Sequence, residues 1–187
     1  MPFNPRLSAL ALSAGAALLL SACAVPHTGS TPQATAMTQL RATSIDQPLA
    51  AKPVAGTLRF AQTGGTVTVT GEVSNLKPNA LHGFHVHERG DCSAPDASSA
   101  GSHYNPTGTP HGAHGVGAHH VGDMPQLKAD ATGLAKVQFT SQSLTLDGPH
   151  SIVGKSVIVH RDPDDVNAQP VGNAGPRLAC GVIAKGG

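Results

Sequence analysis

The stretch Gly83-Phe84-His85-Val86-His87-Glu88 alternates histidines with apolar residues. In an extended strand, side chains two residues apart point to the same face. His85 and His87 are therefore predicted to present two imidazoles side by side. Phe84 and Val86 then face the opposite way, into a core. Imidazole is a preferred ligand of zinc and copper, so this strand predicts half of a metal site.

The region around this strand is unusually rich in histidine. Residues 81–123 hold eight of the eleven histidines in the chain, namely His82, His85, His87, His103, His111, His114, His119 and His120. Residues 89–126 show weak periodicity and predict a loop of about forty residues, a length that is usually either functional or disordered. Because this loop is rich in His and Gly and not in Lys and Glu, we expect bound metal to order it.

The rest of the body predicts short strands joined by turns. The chain has 22 Gly and 15 Pro in 187 residues and only 3% aromatic residues, a composition that favours strands and turns over a helical bundle. Valines and threonines alternate cleanly from Thr66 to Val73, after a hairpin-like turn at Gly64-Gly65. The sequence predicts an all-β antiparallel sandwich or barrel, without a helix of ordinary length, from strands at 35–43, 54–62, 66–73, 82–88, 134–140, 156–160 and 178–184.

The N-terminus predicts a targeting segment. Arg6 precedes an apolar run at residues 7–20, which is too short to cross a bilayer comfortably. Leu20-Ser21-Ala22-Cys23 resembles a bacterial lipobox, which implies a lipoprotein signal peptide at 1–22 and a lipid on Cys23. Residues 23–33 would form a flexible tether and 34–187 the folded domain, anchored in the bacterial cell envelope and facing the periplasm. The alternative is an ordinary secretory signal that leaves Cys23 without lipid.

Charge and cysteine content limit the remaining possibilities. The net charge is +1 and there is no basic patch, so no nucleic-acid partner is expected. The chain has three cysteines. If Cys23 carries lipid, Cys92 and Cys180 remain as one pair in an oxidising compartment. Two free buried thiols are the alternative.

Six blocks of the sequence together resemble the copper/zinc superoxide dismutase family, from about residue 35 to the C-terminus. The blocks are 83–88, 103–106, 111–112, 120–123, 157–160 and 172–183, and they occur in the order of the family. The resemblance implies a Greek-key antiparallel β-sandwich or barrel, Ig-like in architecture, with a long metal-binding loop and a second active-site loop. It also implies conversion of superoxide to hydrogen peroxide and oxygen by Cu(II)/Cu(I) cycling, with a structural zinc.

The resemblance also implies a role for particular residues. It assigns copper to His85, His87, His103 and His160, and zinc to His103, His111, His120 and Asp123. His103 would bridge the two metals and hold a proton during the cycle. Asp164 would link ligands of both metals, Cys92 and Cys180 would form the disulfide, and Arg177 would guide and hold the anionic substrate.

The sequence allows alternatives for two of the zinc ligands and for the cations that attract the substrate. His114 and His119 compete with His111 and His120 as ligands, although the family spacing favours the latter two. Lys and Arg are missing from 92–126, so attraction of superoxide would depend on Arg177, with Arg89 or Arg161 as further candidates.

A non-catalytic copper/zinc-buffering envelope lipoprotein is the other functional candidate. It would need the ligands but would have no use for an anion-guiding Arg177. A zinc hydrolase is disfavoured because the chain lacks a motif such as HExxH. The sequence is compatible with a monomer or a homodimer.

Overall fold

Antiparallel strands form the body of the molecule, as the alternation predicts. The structure is a computed structural model that describes Met1, residues 31–45 and residues 52–186. Residues 2–22 of the predicted signal peptide, Cys23 and most of the tether lie outside the described residues. The strands are β1 Ala34–Ala42, β2 Ala55–Thr63, β3 Thr66–Ser74, β4 Leu81–His82, β5 Phe84–His87, β6 Leu127–Lys128, β7 Ala135–Ser141, β8 Ser156–His160, β9 Arg177–Val182 and β10 Ala184–Lys185.

Eight of the strands in the described residues make one antiparallel sheet: seven follow the order β5-β8-β9-β1-β2-β3-β7, and β10 pairs with β1. The chain crosses from one side of this order to the other between β3 and β5, between β5 and β7 and between β7 and β8, and such long connections between antiparallel strands are typical of a Greek key. The sheet curls so that Phe84 of β5 packs in the same core as Val67 and Val69 of β3. The predicted all-β fold class is confirmed.

The alternation on β3 predicts the buried face correctly. Val67, Val69 and Val73 are fully buried, whereas the intervening threonines lie on the outer side. Gly71 takes the inward position between two valines and has a φ of +151°. A side chain there would collide with the carbonyl oxygen of Thr57 on β2, so only glycine allows the two strands to approach at this point.

The predicted ligand strand at 82–88 is wrong in one respect, because it forms two strands. β4 pairs with β6, a strand that the sequence did not predict, whereas β5 pairs with β8. The break falls at Gly83, whose N–H donates to the carbonyl of Asp162 at 2.9 Å. A Cβ at Gly83 would collide with Ala174, so the chain can change partners here only with glycine.

Two loops approach β5 and β8. The long metal-binding loop joins β5 to β6 as predicted, and within it the described residues form a single short 3₁₀ helix, Ser98–Ala100. Isolated β-bridges pair His85 with Asp123 and His87 with His103, which fixes this loop on the ligand strand. The second, active-site loop joins β8 to β9 across residues 161–176.

A disulfide between Cys92 and Cys180 ties the metal-binding loop to β9, with 5.8 Å between the two Cα atoms. The two cysteines are 88 residues apart, so this cross-link lowers the conformational entropy of the unfolded chain, which stabilises the fold by about 4–5 kcal/mol in the chain-entropy account.

Among the described residues no helix is long and apolar enough to cross a membrane.

Candidate metal centre

Buried ligand-type side chains form two groups that share one residue, His103. Within each group one ligand atom per residue lies within 4.8 Å of those of the others. The first group consists of His85, His87, His103 and His160, and the second of His103, His111, His120 and Asp123. These are the two sets that the family resemblance implies, and all seven side chains are buried.

Regular strands hold three members of the first group. β5 supplies His85 and His87, and the last residue of β8 supplies His160. The Nε2 atoms of His87 and His160 lie 3.4 Å apart. His103 joins them from the metal-binding loop through its bridge to His87. Because two hydrogen-bonded neighbouring strands carry these rings, their relative positions are set by the sheet.

Backbone carbonyls orient the rings of the first group. Nδ1 of His87 lies 2.9 Å from the carbonyl of Gly101, and Nδ1 of His160 lies 3.0 Å from that of Gly175. A carbonyl oxygen can only accept a hydrogen bond, so each Nδ1 carries the proton and each Nε2 keeps its lone pair. Hydrogen bonds of this kind fix the tautomer and ring orientation of metal-binding histidines in proteins.

Asp123 lies at the centre of the second group. Its Oδ1 is 2.9 Å from Nδ1 of His103 and 3.3 Å from Nδ1 of His120, and its Oδ2 is 3.1 Å from Nδ1 of His111. The backbone N–H groups of Gly112 and His120 donate to Oδ2. Three imidazoles with one carboxylate form a donor set that suits a closed tetrahedral zinc site.

The carboxylate of Asp164 connects the two groups. Its Oδ2 lies 3.3 Å from Nε2 of His85 and 3.2 Å from Nε2 of His111, so one side chain contacts a member of each group. Asp164 belongs to the active-site loop, whereas His111 belongs to the metal-binding loop. The contact therefore sets the position of one loop relative to the other.

Burial keeps most of these imidazoles neutral. Loss of hydration lowers the pKa of His85, His87 and His120, and it lowers that of His160 to about 4. Nearby imidazoles, His103 above all, add to this effect. At neutral pH these rings keep free lone pairs for a cation.

Asp123 remains ionised although it is buried. Burial opposes its charge, but hydrogen bonds from His103, Gly112 and His120 lower its pKa well below the usual value. The second group therefore offers a cation one negative charge.

The unsatisfied atoms of the site fit bound metal ions. Both ring nitrogens of His85 and both ring nitrogens of His111 are buried and make no hydrogen bond. Leaving such an atom without a partner costs about 1–3 kcal/mol. His85 belongs to the first group and His111 to the second, so an ion in each group would give one nitrogen of each ring a partner. The chemistry of both donor sets thus accommodates two transition-metal ions.

A pocket of about 380 Å³ opens beside the first group. Its wall includes His87, His103 and His160, and Arg177 is the only cation among the described residues that line it. Nη1 of Arg177 donates to the carbonyl of Ala97 and Nη2 to that of Gly101, each at 2.6 Å. Burial lowers the pKa of Arg177, but a guanidinium stays cationic at physiological pH. The pocket can therefore hold a small anion beside the histidines.

Comparison with known proteins identifies the family of this architecture. Residues 54–183 match the family model described as copper/zinc superoxide dismutase (SODC). The chain belongs to the copper/zinc superoxide dismutase family. This family uses copper and zinc, in agreement with the two donor sets.

Two relatives show how far this likeness extends. The chain is 43% identical over 137 residues to a "Superoxide dismutase [Cu-Zn]" of Paramecium bursaria Chlorella virus 1, covering 70% of this chain and 73% of the relative. It is also similar to a solved structure titled as the clock protein EA4. That comparison gives 34% identity and a TM-score of 0.71 and covers 86% of this chain and 99% of the other.

The other histidines of the described residues lie outside the two groups. His114 and His119 bind backbone carbonyls through Nδ1, at 2.9 Å to Asp123 and 2.7 Å to His120. Family spacing favoured His111 and His120 over these two, and the grouping agrees with that preference. His82 is buried with its Nδ1 2.9 Å from the carbonyl of His160, and His150 is exposed.

The two further candidates for attracting superoxide are both exposed beside acidic residues. Nη2 of Arg161 lies 2.9 Å from Oδ2 of Asp162. Nε of Arg89 lies 3.9 Å from Oε1 of Glu88. Neither arginine lines the pocket, so Arg177 stands out as the cation placed to attract an anion.

Sequence reasoning did not find two glutamines that contact the site. Gln126 hydrogen-bonds the backbone of Asp164, and Gln169 hydrogen-bonds the backbone of His111. No local signal marks either residue, because a glutamine in a loop is ordinarily exposed and its partner here lies far away in sequence.

In the metal-free protein, we expect the free energy of unfolding to fall as the pH is lowered from about 6.5 to about 4. The unfolded chain takes up protons near 6.5, whereas His160 stays neutral in the fold down to about 4. His85, His87 and His120 shift in the same direction. The unfolded state binds more protons in this window, so stability rises with pH across it. Burial raises the pKa of Asp164, which contributes in the opposite direction.

Urea denaturation of the metal-free, disulfide-bonded protein at several pH values measures this slope. His160→Gln should flatten it, whereas His150→Gln, at an exposed position, should not. Equal stability at pH 6.5 and pH 4 would contradict the prediction.

Proposed function

We propose that this protein is a superoxide dismutase whose copper is held by His85, His87, His103 and His160. Zinc is held by His103, His111, His120 and Asp123. The observation that carries this assignment is the sharing of His103 between a group of four imidazoles and a group of three imidazoles with one carboxylate. His87, His103 and His160 of the first group line the pocket that contains Arg177, whereas the second group reaches that pocket only through the shared His103.

The donor sets support this division between the two metals. Four imidazoles suit Cu(II), and three imidazoles with a carboxylate suit zinc. Copper supplies one-electron chemistry when bound, whereas zinc has none. The opening of the first group onto the pocket gives a small anion access to the copper ligands, and the buried second group has a structural role.

Arg177 binds and orients superoxide. Its two hydrogen bonds to loop carbonyls hold the guanidinium at the pocket, and its charge does not change with pH in the working range. Superoxide therefore meets a fixed cation beside His87, His103 and His160. An anion held at this place is positioned for electron transfer without any movement of the fold.

His103 is suited to hold a proton for the departing product. Its Nδ1 faces Asp123 in the second group at 2.9 Å, which leaves Nε2 as the nitrogen available to the first group. Dismutation converts two superoxide anions and two protons into oxygen and hydrogen peroxide. One proton can be held at Nε2 of His103, and solvent supplies the other through the pocket.

Replacement of Arg177 by isoleucine should lower the rate of dismutation about tenfold, which corresponds to about 1.4 kcal/mol of charge-assisted binding. It should also remove most of the dependence of the rate on ionic strength, because salt screens attraction beyond a Debye length of about 10 Å at 0.1 M. Pulse radiolysis of the copper- and zinc-loaded protein at several salt concentrations measures both effects.

Arg59→Ile is the matched control, since Arg59 is exposed on β2 away from the pocket. Metal analysis of each variant separates a lost anion site from a lost metal. An Arg177→Ile variant with full metal content and the wild-type rate would remove Arg177 from the mechanism.

We further propose that the protein works in a bacterial cell envelope, anchored by a lipid on Cys23 and facing the periplasm. The apolar run at 7–20 followed by Leu20-Ser21-Ala22-Cys23 supports this placement. The disulfide between Cys92 and Cys180 is compatible with it, because such bonds persist in oxidising compartments. A superoxide dismutase there would protect the envelope from oxidative stress.

Mass spectrometry of the protein isolated from bacterial membranes tests the anchor. We expect a mature N-terminus at Cys23 that carries acyl chains, and a Cys23→Ser variant that appears in the soluble fraction. A mature protein that begins at another residue, or a Cys23 without lipid, would contradict the proposal.

A further inference from the structure

Two glutamine side chains connect the loops that carry the metal-site residues. Gln126 lies at the end of the metal-binding loop and reaches residue Asp164 of the active-site loop. Gln169 lies in the active-site loop and reaches His111 of the metal-binding loop. The two connections run in opposite directions, and each loop supplies one glutamine and one backbone partner.

Each glutamine binds both backbone groups of its partner. Oε1 of Gln126 accepts from the N–H of Asp164 at 2.8 Å, and its Nε2 donates to the carbonyl of Asp164 at 3.1 Å. Oε1 of Gln169 accepts from the N–H of His111 at 3.0 Å, and its Nε2 donates to the carbonyl of His111 at 2.8 Å. Because a backbone N–H can only donate, the orientation of both amides is fixed.

The partners of the glutamines are the two residues that contact each other between the loops. Oδ2 of Asp164 lies 3.2 Å from Nε2 of His111 and 3.3 Å from Nε2 of His85. This contact leaves little space, since a Cβ at Gly172 would collide with both Asp164 and His111. A shift of one loop by a fraction of an ångström would therefore change the contact.

We propose that Gln126 and Gln169 are positioning residues that hold Asp164 against His111 and His85. This inference rests on the proposed metal site. The glutamines fix the backbone on both sides of the contact, so the carboxylate of Asp164 stays close to Nε2 of both imidazoles. The imidazole nitrogens opposite the carboxylate then stay directed at the metals. Outer hydrogen bonds of this kind typically change metal affinity by about 10–100-fold.

Gln126→Met and Gln169→Met test the proposal, because methionine keeps the length and approximate volume of the side chain but loses the amide. The copper- and zinc-loaded variants should release zinc to a chelator about tenfold faster than the wild type, at the lower end of the range for outer partners. The visible spectrum of protein with Co(II) in the zinc site should shift or broaden, which reports the geometry of His111 and not the stability of the fold.

Gln138→Met is the control, since Gln138 is exposed on β7. It should release zinc at the wild-type rate. Urea unfolding of the metal-free, disulfide-bonded proteins separates positioning from general stability. The proposal would be overturned if the rate of zinc release rose only in proportion to the loss in the free energy of unfolding of the metal-free protein.

A second background tests whether Gln126 acts through the Asp164 contact. In Asp164→Asn protein, adding Gln126→Met should leave the rate of zinc release unchanged, because the contact that it supports has already been weakened. A further tenfold acceleration in that background would overturn the proposed route. The inference and the proposed function can fail separately. If the wild-type protein binds zinc and copper and dismutates superoxide, but both glutamine variants release zinc at the wild-type rate, this inference is rejected and the proposed function stands.

Discussion

The structure depends on the sharing of one buried ring, that of His103, between two groups of ligands. One nitrogen of this ring contacts Asp123 and the other is left for His85, His87 and His160. Buried imidazoles without partners are costly, so the arrangement is favourable only if the rings are both oriented and satisfied by ions. This constraint explains why a long loop must return to the face of β5.

The strands and the loops contribute to the metal centre in different ways. β5 and β8 carry three imidazoles on neighbouring hydrogen-bonded strands, which sets their spacing. The loops supply the remaining groups and are held by several ties. These are the disulfide from Cys92, the bridges at His85 and His87, and the amides of Gln126 and Gln169. Metal sites are more precise when the groups behind the ligands are fixed in this way.

The sequence predicts the structural features that are marked by a local alternation of residues or by a specific motif. The alternation at β3 predicts its buried valines, and the His85–His87 pattern predicts the ligand strand. The break at Gly83 could not be predicted, because it arises from a change of partner strand. The glutamines were missed for a related reason. Gln126 binds a residue 38 positions away and Gln169 one 58 positions away, and neither separation leaves a periodic signal.

Metal content measured together with activity tests the central claim most directly. Protein reconstituted with copper and zinc should contain one of each per chain and dismutate superoxide. His160→Ala should lose copper and activity but keep zinc, because His160 belongs only to the first group. Zinc alone in the reconstituted protein, or both metals without dismutation, would contradict the account and favour a protein that binds metals without catalysis.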